Sequence, residues 1–132
     1  IHAGREPASP AYGIDTYAIC NVARIERVLR RHPRLTLVVP HLGADEVVEY
    51  AALLERHENL WLDTTMACAD FFPYRPPADL VVRHAGRLLY GTDFPNLPYA
   101  WDRELRALEA LGLSPEALER VTRRNAAELY TA

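Results

Sequence analysis

Cysteine is scarce in this chain. Cys20 and Cys68 are the only two, far apart and without the CxxC or zinc-ribbon spacing that marks a structural metal site. Both read as reduced small hydrophobes of a cytoplasmic protein. No apolar run is long enough to span a bilayer, and no signal-peptide pattern opens the sequence. Positive charge is not in excess either: the net charge is -3 and the pI about 5.9, so nothing recruits nucleic acid or an anionic membrane. Serine occurs only at Ser9 and Ser114, with no Gly-x-Ser-x-Gly elbow, P-loop or dinucleotide glycine fingerprint. Low-complexity segments and internal repeats are absent too.

What is present fits one soluble globular unit over residues 1–132, 49% hydrophobic and 25% charged. The chain opens on Ile1 rather than methionine, directly against His2-Ala3-Gly4, and reads as a fragment. Short apolar runs alternate with segments of helical period. Ala18, Val22, Ile25 and Leu29 predict one helical face, with Arg30, Arg31 and His32 at its C-terminus and Pro33 as its stop. Leu35 to Val39 is an unbroken β-prone run, as expected of a parallel strand covered on both faces. Val47, Ala51 and Leu54 mark the next helix, and Leu60-Trp61-Leu62 the next strand, ending in Asp63-Thr64-Thr65. Met66 to Pro77 is an aromatic, proline-rich loop. Ala78 to His84 predicts a short helix, Leu88-Leu89-Tyr90 a strand, and Trp101, Leu105, Leu108 and Leu111 a helix stopped at Gly112. Ser114, Pro115 and Glu116 open the last helix, with Leu118, Val121 and Leu129 as its buried stripe.

Strands alternating with helices imply right-handed βαβ units and a parallel sheet, roughly half of a (β/α)8 barrel, which typically needs about 250 residues. In such a barrel the C-terminal ends of the strands converge on the face that carries chemistry. His2, His41 and Asp93 all fall at predicted strand ends. Imidazole and carboxylate suit zinc and similar ions. Each residue also admits a plainer role: His41 as a satisfied structural histidine, Asp93 as a turn organiser, His2 as an exposed residue at the chain start. His32, His57 and His84, on or just after helices, read as solvated or capping residues, and Asn125 as structural.

Several pieces together resemble the amidohydrolase-related (amidohydrolase 2) family of the metal-dependent hydrolase superfamily. They are Ile1-His2-Ala3-Gly4, Arg31-His32-Pro33-Arg34-Leu35, Pro40-His41-Leu42-Gly43 and Asn59-Leu60-Trp61-Leu62-Asp63-Thr64-Thr65. Leu89-Tyr90-Gly91-Thr92-Asp93-Phe94-Pro95 and Asn125-Ala126-Ala127-Glu128-Leu129-Tyr130 complete the set. They fall in family order over almost the whole chain, the Gly-Thr-Asp-Phe-Pro piece being the most specific.

The resemblance implies the C-terminal half of the barrel, about strands five to eight. It assigns His2 to the end of the fifth strand as a metal ligand, His41 to the sixth as a catalytic group or second-metal ligand, and Asp93 to the eighth as ligand and proton-transfer group. The implied cofactor is a divalent metal, zinc first. The family's His-x-His pair from the first strand has no counterpart in this sequence. The implied reaction is hydrolysis of a small organic amide, ester or lactone, with non-oxidative decarboxylation as the alternative. A different class of reading is an inactive half barrel that only associates with partners. Tyr74 and Arg75, in the aromatic loop, are candidate substrate contacts: Arg75 through a bidentate pair with a carboxylate, or else both as parts of an ordered surface loop. Asp63 and Thr64 are candidates to orient ligands, or else only close the strand end with local hydrogen bonds. Unpaired edge strands would favour a homo-oligomer.

Overall fold

The computed structural model describes residues 1–3 and 13–131. Gly4, which closes the opening motif, and Ser9 lie outside the described residues. Three strands, β1 (Leu37–Val39), β2 (Leu60–Asp63) and β3 (Leu88–Leu89), form a parallel sheet in that order. Val38 is paired with Trp61, and Leu62 with Leu88. Parallel neighbours need a crossover, supplied by helix α3 (Val47–Arg56) and then helix α4 (Ala78–His84). The opening segment sits beside β1: the Ile1 nitrogen donates to the Val38 carbonyl at 2.8 Å, and Ala3 is buried in the core.

The expected single helix before β1 is divided into α1 (Thr16–Cys20) and α2 (Val22–Arg31). Asn21 breaks it, because its extended backbone and side chain cap α2, accepting from the Arg24 amide at 3.2 Å. Ala18 is therefore exposed, while Ile25 and Leu29 are buried. The first strand is also shorter than expected. Leu35 is 44% exposed, because its backbone is taken up by a turn with His32 and by the Asn59 side chain. Within β1 only Val39 is fully covered.

The core gathers Leu29, Val39, Tyr50, Leu53, Leu54, Leu60, Leu62 and Leu88 between helices and sheet. His84, read as solvated or capping, is buried against this core; it stands at the cap position of the 3-10 turn that follows α4, but its side chain makes no capping bond. It follows Leu80 by four and Val81 by three residues, so it falls on the buried stripe of α4, and burial lowers its pKa. Helix α5 (Arg103–Ala110) starts after Trp101, which is exposed, and its buried stripe is Glu104 and Leu108. The chain then leaves through Gly112 at φ +74°.

Ser114 caps α6 (Pro115–Glu119) through the Ala117 amide, as its sequence predicts. A wide π-type turn over Arg120–Arg124 joins α6 to α7 (Asn125–Tyr130). The Val121 carbonyl in that turn accepts from the Tyr90 amide at 2.9 Å, anchoring the exit of β3. Asn125 is structural: fully buried, it donates to the Ala85 and Leu88 carbonyls, both at 2.7 Å.

Candidate active site

The chemistry-bearing residues follow the C-terminal ends of the strands. Beyond β1 the chain turns through His41, Leu42, Gly43 and Ala44 with φ of +57°, +53°, +85° and +58°. Left-handed backbone costs an L-residue roughly 1–2 kcal/mol, so it persists only where surroundings over-determine it. Here Gly43 donates to the Pro40 carbonyl at 3.0 Å and Ala44 to the His41 carbonyl at 2.8 Å. Leu42 is fully buried, and Gly43 lies so close to the Tyr50 ring that an added Cβ would stand 2.0 Å from Cδ2. The turn tucks the His41 side chain inside, 6% exposed.

His41 Nδ1 lies 2.8 Å from the Thr65 carbonyl oxygen. A carbonyl only accepts, so Nδ1 carries the proton and the Nε2 lone pair is left for another partner. Thr65 is in turn fixed by Asp63, whose Oδ1 accepts from the Thr65 amide at 3.0 Å. The Asp63 carboxyl also meets the His41 backbone N–H. Burial raises its pKa against these hydrogen bonds and the adjacent imidazole. The His2 ring lies 5.0 Å from that of His41, tilted by 59°, and Phe72 meets His41 edge-on at 6.2 Å.

Asp93 sits beyond β3 at φ +70°, half-buried. Its turn is closed by its own carbonyl, accepting from the Asn96 amide at 2.7 Å, and by the Thr92 hydroxyl, accepting from the Phe94 amide at 3.1 Å. The Phe94–Pro95 peptide is cis. The Asp93 carboxylate is thus not what closes the turn. A shallow cleft lined by Thr92, Phe94 and Trp101 opens beside it. The structure brings His2 and His41 together and puts Asp93 at the same edge of the sheet. Among the described residues, no group of three or more His, Cys, Asp or Glu side chains is gathered closely enough to hold a metal ion.

The loop after β2 spans these two ends. Tyr74 stacks on Phe72 with centroids 5.2 Å apart, and Phe71 contacts both Phe72 and Tyr99 at 5.4 Å. The Arg75 guanidinium is ion-paired with Asp70 in its own loop, and both are exposed. Gly91 permits the loop's close approach: a Cβ there would stand 2.1 Å from Thr65 Oγ1.

Sequence reasoning missed Glu104. It is 1% exposed, and its Oε1 accepts from the Cys68 amide at 3.1 Å. Burial pushes its pKa up to about 7. The signal was its place four residues before Leu108 on the buried stripe. Beside it the Cys68 thiol is pushed up by burial and by Glu104, which suits packing rather than nucleophilic attack.

The family model described as amidohydrolase matches residues 1–131. The chain belongs to the amidohydrolase family. Among solved structures it is similar to an uncharacterised TIM-barrel protein from Bordetella bronchiseptica, with a TM-score of 0.74 and 27% identity. That alignment covers 98% of this chain and 44% of the other, so the chain spans less than half the length of its structural neighbour. No curated protein matches it. No helix among the described residues is long and apolar enough to cross a membrane.

Proposed function

We propose that this chain contributes the C-terminal half of a metal-dependent amidohydrolase barrel, which hydrolyses a small organic amide, ester or lactone in the cytoplasm. The observation that carries the reading is the bond from His41 Nδ1 to the Thr65 carbonyl. It fixes the tautomer whose Nε2 can ligate a metal or bind substrate, the usual arrangement for a ligating imidazole. With the His2 ring beside it, the donor set suits zinc or a similar divalent ion. His2, His41 and Asp93 would hold the ion, and because this chain lacks a His-x-His pair, other segments of the whole protein would complete the ligand set. When bound, such an ion supplies Lewis acidity and brings the pKa of water toward about 7.

The residues of the chain divide the remaining work. Asp93 takes up the proton of the attacking water and returns it to the leaving group. His41, with Nδ1 already committed, polarises the substrate through Nε2 or serves as a further ligand. Phe72 and Tyr74 form an apolar wall that keeps bulk water from the reacting bond, and Arg75 can leave Asp70 to pair with a substrate carboxylate. The same stacked aromatic wall suits flat unsaturated acids, which favours non-oxidative decarboxylation as the second reading.

The test uses the full-length protein. Metal content would be measured before and after chelation, and turnover followed on a panel of amides, esters, lactones and aromatic acids. Asp93→Asn keeps the shape but loses the charge and the proton acceptor. Turnover is expected to fall by about a thousandfold or more with melting unchanged, in line with the loss of a principal catalytic group. Undiminished turnover in Asp93→Asn, or after complete chelation, would overturn the proposal.

A further inference from the structure

The loop after β2 carries both the carbonyl that fixes His41 and the ring that meets it edge-on. What holds the loop comes from a distant part of the chain. Its backbone is irregular, with left-handed residues at Met66 and Asp70. Beyond the Thr65–Asp63 bond and a turn from the Ala67 amide to the Thr64 carbonyl at 2.7 Å, its far half is gripped by the first turn of α5. Glu104 Oε1 accepts from the Cys68 amide at 3.1 Å, and the Arg103 guanidinium donates to the Asp70 carbonyl at 2.9 Å.

These two adjacent residues thus hold an amide and a carbonyl two positions apart on the loop. Arg103 also lies over the Tyr99 ring at 5.0 Å, and Tyr99 packs on Phe71, next to Phe72. The grip is therefore continuous from α5 to the His41 imidazole by backbone on one side and by tilted and edge-on ring contacts on the other.

Glu104 is an expensive residue for a merely structural contact. A single neutral hydrogen bond stabilises only modestly, and burying a carboxyl costs more than that unless it is well paired. Besides the Cys68 amide, its carboxyl meets the Thr64 and Cys68 side chains and the Ala69 backbone, all on the loop, and the buried Tyr90 and Tyr99 hydroxyls feel its charge. An apolar residue at this position would fill the same space, but it would leave the Cys68 amide without its acceptor.

We propose that Arg103 and Glu104 act together as positioning residues, clamping the Thr64–Asp70 loop so that the Thr65 carbonyl holds His41 in its Nδ1–H tautomer. The proposal rests on the reading of His41 as a site residue, but its readout does not depend on metal or turnover. In the full-length protein freed of metal by chelation and carrying 15N-labelled histidine, the His41 ring nitrogens would be assigned by their loss in His41→Gln.

Wild type is expected to show the neutral ring in the Nδ1–H form alone. Glu104→Ala should lose that dominance and give both tautomers, and Glu104→Gln, which keeps an acceptor for the Cys68 amide, should restore it. Arg103→Ala changes an exposed side chain outside the core, so it keeps the test open if Glu104→Ala does not fold. It should mix the tautomers as well. An unchanged Nδ1–H signal in folded Glu104→Ala or in Arg103→Ala would overturn the clamp. Mixed tautomers in a protein whose turnover is indifferent to His41→Gln would uphold the clamp and instead refute the functional reading of His41.

Discussion

At the end of β1 an imidazole is buried and held by three separate pieces of chain, whereas at the end of β3 a carboxylate stands half-exposed in a turn closed by its immediate neighbours. His41 depends on left-handed backbone, on the ring of Tyr50 beneath Gly43, and on the Thr65 carbonyl across the sheet. Asp93 depends on Thr92 and Asn96. On the proposed reading the histidine offers one nitrogen and keeps the other committed, which needs a fixed partner. A carboxylate accepts through either oxygen and tolerates a looser seat.

The contrast is broken or sharpened first by paired glycine substitutions. Gly43→Ala forces a methyl into the Tyr50 ring at φ +85°, and overpacking plus backbone strain should lower stability by about 3 kcal/mol or more. Gly91→Ala meets a Thr65 hydroxyl that can rotate away, at a backbone without positive φ, and should cost about 1 kcal/mol. Urea unfolding measures both. Equal losses would show that the two strand ends are equally constrained.

A second test concerns Glu104, which underlies the loop between the two ends. Its folded pKa of about 7 lies above the ordinary glutamate value of 4.5. Below about pH 4.5 it is protonated in both states and costs nothing. As the pH rises the unfolded chain ionises first, so stability falls until about pH 7 and is level above it. The drop from this group is on the order of 3 kcal/mol. Glu104→Gln should remove that part of the slope in unfolding free energy between pH 4.5 and 7. A variant with the wild-type slope would show that the carboxyl is better solvated than its burial implies.

The smallest effect is expected at Arg75. Its ion pair with Asp70 is exposed on both sides, so Arg75→Ala should change stability by less than about 0.5 kcal/mol. If the guanidinium instead meets the substrate, KM should rise with kcat little changed. A large loss of stability would mean that the loop, like the end of β1, is fixed by its side chains.

Legibility followed the range of the forces involved. Helix α4, the Ser114 cap and the stop at Gly112 were readable because period, capping and left-handed exits are set by near neighbours. The errors came where a neighbour in space outweighed the local pattern. Asn21 had a capping use that the apolar spacing of Ala18 and Val22 concealed. His84 reads from its polarity as solvated or capping, although its spacing from Leu80 and Val81 places it inside. Trp101 keeps the spacing of Leu105 and Leu108 but precedes a helix that begins at Arg103, while Glu104 is hard to recognise because a charged residue is rarely fully buried.

By itself the sequence determined the alternation of strands and helices and the family, and it put His41 and Asp93 at strand ends. Those properties depend on residue types within a few positions and on motifs read in order. Only the tertiary structure decided which nitrogen of His41 is committed, that His2 lies beside it, and that Thr65, Asp63 and Glu104 serve the same loop. Residues 24 to 39 positions apart along the chain meet there because parallel strands bring their ends to one edge, and that proximity leaves no trace in spacing along the chain.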